Sequence, residues 1–108
     1  PYYDGDTMYL NTSEAISGIP SSWPGYNLEI GSTGAKVRQL QEQLNVIAGA
    51  YPALPTLNAD GIYGPATAEA VRQFQGVFGL PQTGITDYST WYKISEIYVG
   101  VSRIAELT

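Results

Sequence analysis

Asp60-Gly61-Ile62-Tyr63-Gly64-Pro65-Ala66-Thr67 is the stretch that most constrains what this chain can become. It reads as a tight turn that runs directly into a helix. Gly61 and Gly64 permit backbone angles that a side chain forbids. Pro65 suits the first helical position, where its missing N–H is no loss and its fixed φ already fits. The Asp60 carboxylate can accept hydrogen bonds from N–H groups of its own turn. Tyr63 must point either into a core or out to a partner. After Pro65, the residues Thr67, Ala70, Val71, Phe74 and Phe78 follow helical spacing, so the corner aims an amphipathic helix.

A similar unit lies upstream. Gly31-Ser32-Thr33-Gly34 reads as a turn, with Ser32 or Thr33 available as a cap for the helix that follows. That helix is expected over about Ala35–Ala48, with Val37, Leu40, Leu44 and Ile47 on one face and Gly49 and Pro52 closing it. Val37-Arg38-Gln39-Leu40-Gln41 echoes Val71-Arg72-Gln73-Phe74-Gln75. The two echoes lie at distances from their preceding Gly that differ by about one helical turn, so the repeated Val keeps its face. Two such units are too few for a solenoid.

The second helix is expected from Pro65 to about Phe78, stopped by Gly79. A third, capped by Thr86 or Asp87, carries Trp91, Ile94, Tyr98, Val101 and Ala105 on one face; Gly100 within it could kink or divide it. Between the first two helices, Tyr51, Leu54 and Leu57 should pin a loop containing Pro52 and Pro55, and Leu57–Tyr63 could include a short extended pairing. Residues 1–27 have no lasting period but carry Tyr2, Tyr3, Met8, Tyr9 and Trp23, and read as an ordered arm with a short helical turn near Ser13–Ser17. The fold class is therefore all-α, a compact orthogonal three-helix bundle with an N-terminal arm (1–27), a central module (28–94) and a C-terminal helical extension (95–108). The extension is expected to pair with the arm.

Composition narrows the chemistry. Five Lys/Arg against ten Asp/Glu give a net charge of −5, which disfavours nucleic acid and anionic membrane as partners. No apolar run approaches the roughly 18–20 residues of a membrane helix. The chain begins with Pro1, so it is expected to be processed or part of a longer protein. With no Cys and no His, thiol nucleophiles, Cys/His zinc sites and His-dependent triads are excluded. Paired carboxylates can hydrolyse a glycosidic bond when held about 5–10 Å apart. Among ten acidic residues some pair is inevitable, so their number is no signal. Asp4/Asp6 is a close pair with weak metal-site character. No catalytic residue, metal site or cofactor is assigned.

These blocks together resemble a known family. Leu28-x-x-Gly31-Ser32-x-Gly34-x-x-Val37-x-x-Leu40-Gln41-x-x-Leu44, the Asp60–Thr67 corner with Ala70, Val71, Phe74 and Gln75, and then Gly79-Leu80-Pro81-x-Thr83-Gly84 and Thr90-Trp91 are similar to the bacterial peptidoglycan-binding domain. The resemblance covers about Tyr26–Ile94. It implies a non-catalytic three-helix module that anchors a linked amidase, peptidase or spore-cortex lytic enzyme on the wall, outside the cell. The implied ligand is a stem peptide with adjoining sugar, in a groove beside the Asp60–Pro65 corner. The loop Ala48–Asn58 is longer than the family's usual short turn.

The ligand-facing candidates are Asp60, Ile62, Tyr63, Arg38 and Arg72. Asp60 is a turn-stabilising carboxylate or an acceptor for a peptide amide or ammonium. Tyr63 lines either groove or core. Arg38 and Arg72 flank the buried face, either solvated or paired with a peptide carboxylate. Gln41 and Gln75, beside the core stripe, should satisfy loop backbone groups. Trp91 belongs to the core, and Trp23 tethers the arm or stacks on a sugar. The alternative role is a structural module that docks on a partner or on its own catalytic domain.

Overall fold

The computed structural model describes residues 22–107, with side chains described through Ser102. Three helices make up the fold: α1 (Ala35–Ala50), α2 (Pro65–Val77) and α3 (Tyr88–Leu107). The apolar stripes read from the sequence are the faces that meet. Val37, Leu40, Leu44 and Ile47 from α1, Ala70, Val71 and Phe74 from α2, and Trp91 and Ile94 from α3 are all buried. Leu28, Leu54 and Tyr63 complete this core from the connecting segments. The fold is an all-α three-helix bundle, as expected.

Helix ends depart from expectation in instructive ways. Neither Ser32 nor Thr33 caps α1: its N-cap is Gly34, with no side-chain cap. Ser32 Oγ instead accepts from the Glu29 N–H at 3.0 Å, tightening the preceding turn. Gly49 does not stop α1, which continues through Ala50. Pro52 ends it by forcing Tyr51 out of helical geometry (φ −126°, ψ 87°). Gly79 does stop α2: it adopts φ +77°, and the Leu80 N–H returns to the Gln75 carbonyl at 2.8 Å. Asp87 caps α3, its Oδ1 accepting from the Thr90 N–H at 2.9 Å. Gly100 does not divide α3, which runs as one helix from Tyr88 to Leu107.

Two isolated antiparallel bridges, Leu28↔Thr86 and Thr33↔Ile62, lace the connections together. The second is the extended pairing expected near Tyr63. Leu54 is buried, and Tyr51 and Leu57 pack against the core. Asn45 fixes the long α1–α2 loop by bonding both the N–H (2.6 Å) and the carbonyl (2.8 Å) of Leu57. Trp23 tethers the N-terminal segment, lying edge-on to Trp91 and Tyr88 at centroid distances of 6.1 and 5.6 Å. The helical turn near Ser13–Ser17, the Asp4/Asp6 pair and the pairing of arm with C-terminal extension lie outside the described residues.

Candidate binding corner

The site is built on a buried amide. Gln41, on the core face of α1, is 1% exposed, and its side chain reaches the Asp60 corner. Its Oε1 accepts from the Gly61 N–H at 2.9 Å. Its Nε2 donates to the Ile62 carbonyl (2.9 Å), Thr67 Oγ1 (3.1 Å) and Asp60 Oδ1 (3.2 Å). One side chain thus holds the turn from donor and acceptor ends, the structural role expected of it. Asp60 Oδ1 also accepts from the Ile62 N–H at 3.0 Å. These donors, the Ile62 N–H first and Gln41 second, hold the Asp60 carboxyl below its ordinary range.

Gly61 has two reasons to be glycine. Its φ is +77°, and a Cβ there would stand 3.2 Å from the Gly34 carbonyl. That close approach lets the Gly34 N–H donate to the Gly61 carbonyl at 2.9 Å. Two further backbone bonds, Gly31 N–H to the Tyr63 carbonyl and Tyr63 N–H to the Ser32 carbonyl, zip the turn before α1 to the turn before α2.

Between these turns lies an open cavity of about 470 Å³, lined by Thr33, Gly34, Ala35, Arg38, Asp60, Gly61 and Ile62. Three of the five sequence candidates, Arg38, Asp60 and Ile62, therefore meet at one place. Ile62 is 57% exposed, offering an apolar wall beside an anionic and a cationic group. Among the described residues Arg38 makes only a loose 3.5 Å pair with Glu42, and both side chains are mostly in solvent.

The other two candidates are elsewhere. Tyr63 is 1% exposed and belongs to the core, not to the cavity surface. Its hydroxyl donates to the Gly84 carbonyl at 2.7 Å and lies 3.1 Å from Thr86 Oγ1. Burial pushes its phenol above the ordinary value of 10.0. Arg72 lies on α2, with its guanidinium beside Gly84 in the turn before α3, and pairs with Glu69. Thr33, Gly34, Ala35 and Gly61 line the cavity without having been singled out as ligand-facing. The paired turns were visible in the sequence, but their mutual contact was not. The long loop before Asn58 contributes no lining residue. No cluster that could hold a metal ion occurs among the described residues. No described helix is long and apolar enough to cross a membrane.

The peptidoglycan binding domain family matches residues 33–94, a span containing every cavity-lining residue. The chain is 43% identical over 77 residues to the zinc D-Ala-D-Ala carboxypeptidase of Streptomyces albus G, covering 70% of this chain and 28% of that protein. It is 45% identical over 51 residues to the N-acetylmuramoyl-L-alanine amidase CwlA of Bacillus subtilis strain 168, covering 45% of this chain and 18% of the amidase. The chain thus spans less than a third of these relatives. Among solved structures, the SleB N-terminal domain superposes with a TM-score of 0.57 at 30% identity, over 67% of this chain and 92% of that one.

Proposed function

Because this chain belongs to the peptidoglycan-binding domain family, we propose that it holds the peptide portion of cell-wall peptidoglycan, with adjoining sugar, in the Arg38–Asp60–Ile62 cavity. It is a non-catalytic module of a cell-wall hydrolase and acts outside the cell, on wall or spore cortex. The observation that carries this reading is the convergence of a cation, an anion and an exposed aliphatic side chain on a corner that Gln41 holds preformed. Such a set matches a peptide, which offers carboxylate, amide N–H and methyl groups together. A rigid corner loses little freedom on binding, so a small cavity suffices for weak, reversible attachment. Tethering a catalytic domain through it raises that domain's local concentration on an insoluble polymer.

The test is co-sedimentation of the purified 108-residue chain with insoluble sacculi, with the supernatant assayed for released muropeptides. The expected result is sedimentation without release, reduced for Ile62→Ser and Arg38→Ala. Absence of sedimentation would turn the assignment toward docking on a partner domain. Release of fragments would overturn the non-catalytic role.

A further inference from the structure

The Asp60 corner has a second copy. Gln75 on α2 repeats Gln41: its Oε1 accepts from the Gly84 N–H (3.0 Å), and its Nε2 donates to the Ile85 carbonyl, Thr90 Oγ1 and Thr83 Oγ1 (3.0, 3.0 and 3.2 Å). Thr83-Gly84-Ile85 stands where Asp60-Gly61-Ile62 stands, and the Ile85 N–H bonds Thr83 Oγ1 as the Ile62 N–H bonds Asp60 Oδ1. Gly84 has φ +76°, against +77° for Gly61. A Cβ on Gly84 would meet the Ala68 carbonyl at 3.3 Å, and one on Gly61 would meet the Gly34 carbonyl at 3.2 Å. Ala68 and Gly34 each lie one turn before the repeated arginine, Arg72 or Arg38.

The copies differ three residues before that arginine. At the second corner the residue is Glu69, and its carboxylate binds Arg72 and the Gln73 side chain. At the first it is Ala35, a methyl that lines the cavity. Among the described residues Arg38 keeps only the loose Glu42 contact through Nε. Lys36 is turned away, its Nζ donating to the Ser22 carbonyl at 2.7 Å. The first turn of α1, which has no side-chain cap, opens on the same space. The second corner has a further helical turn there, because α2 begins at Pro65, before the counterpart of Gly34.

We propose that the corner at Gly84 is a second copy of the ligand corner shut by Glu69, and that the Glu69 carboxylate on Arg72 holds the place that a carboxylate of the bound peptide takes on Arg38. This rests on the wall-peptide reading and deepens it: the group recognised at Arg38 is a free carboxylate, and an amidated peptide is discriminated against. Asp60, across the cavity, takes the peptide's N–H donors.

The test is an amide-resolved NMR titration of the whole chain with N-acetyl-D-alanyl-D-alanine and with its C-terminal amide. In the wild type the acid should shift the amides of Ala35 and Gly61 and bind about fivefold tighter than the amide, the ratio expected for one exposed ion pair. Ala35→Glu, at an exposed first-turn position where an acid favours the helix, should fold normally and remove that preference, whereas Ala35→Gln should keep it. Glu69→Ala should add acid-dependent shifts at Gly84 and Ile85, alone or with Gln82→Ala, which removes the side chain that donates to the Arg72 carbonyl at 3.3 Å. Equal binding of acid and amide, no shift at Ala35 and Gly61, or no gain at Gly84 in both Glu69 variants would overturn the proposal. Sedimentation with sacculi separates the two failures. A wild-type chain that sediments but shows no carboxylate preference refutes this inference alone, and one that does not sediment refutes the wall-binding reading.

Discussion

Replacing Gln41 by Met keeps the length and most of the volume of the side chain while removing four hydrogen bonds. The loss is unequal across partners. Asp60 and Ile62 are exposed, so water can take over their acceptors. Gly61 and Thr67 are buried, and their N–H and hydroxyl would be left without the amide. At roughly 1–1.5 kcal/mol for each stranded neutral group, Gln41→Met should cost about 2–3 kcal/mol. That corresponds to a fall in Tm of roughly 10–20 °C for a domain of this size. Gln75→Met strands a matching pair, the Gly84 N–H and the Thr90 hydroxyl, and should cost the same within about 1 kcal/mol. Only the Gln41 variant should also lose sacculus binding at temperatures where both are folded, because only its turn borders the cavity. It should also raise the Asp60 pKa, followed by carboxyl carbon shifts, while the Ile62 N–H keeps it below its ordinary value. A cost under about 1 kcal/mol for Gln41→Met, or equal loss of binding in both variants, would refute the view that these amides hold the turns.

Four further outcomes follow from the same geometry. Gly61→Ala should destabilise by about 1–3 kcal/mol, since it combines a left-handed φ with a close contact to the Gly34 carbonyl; a chemical melt with unchanged midpoint would contradict this. Tyr63→Phe should cost about 1–2 kcal/mol by stranding the Gly84 carbonyl, with sacculus affinity unchanged. Because the Tyr63 pKa is raised in the folded chain, its contribution is complete below pH 10.0 and is lost as pH rises through the folded value; the Tyr63→Phe melt should lack that alkaline decline. Binding to sacculi should fall by no more than about threefold between low and high salt, because one arginine rather than a basic patch carries the charge contact.

Much of the bundle was legible because helical spacing is a local property. Val37, Leu40, Leu44 and Ile47 needed no partner to be recognised as a face, and Gly79 announced its stop by type and position. The misread ends were competitions. Ser32 could cap a helix or tighten its own turn, and the Glu29 N–H lay nearer. Gly49 could end α1, but the helix passes it and stops where Pro52 forces Tyr51 out of helical geometry. Tyr63 was ambiguous because its burial depends on Gly84 and Thr86, which lie more than twenty residues away.

Arg38 and Arg72 are the instructive pair. Each follows a buried Val and stands three residues before a glutamine that holds a turn, so the echoed segments give no reason to prefer one. The residue three positions before each arginine does. On a helix, positions i and i+3 are neighbours, so Glu69 occupies Arg72 while Ala35 leaves Arg38 with its loose Glu42 contact. That difference lies just outside the five-residue echo. An internal repeat read only for its matches finds the turns and the core. Read for its mismatch at 35 and 69, it separates the corner that faces solvent from the one that closes on itself.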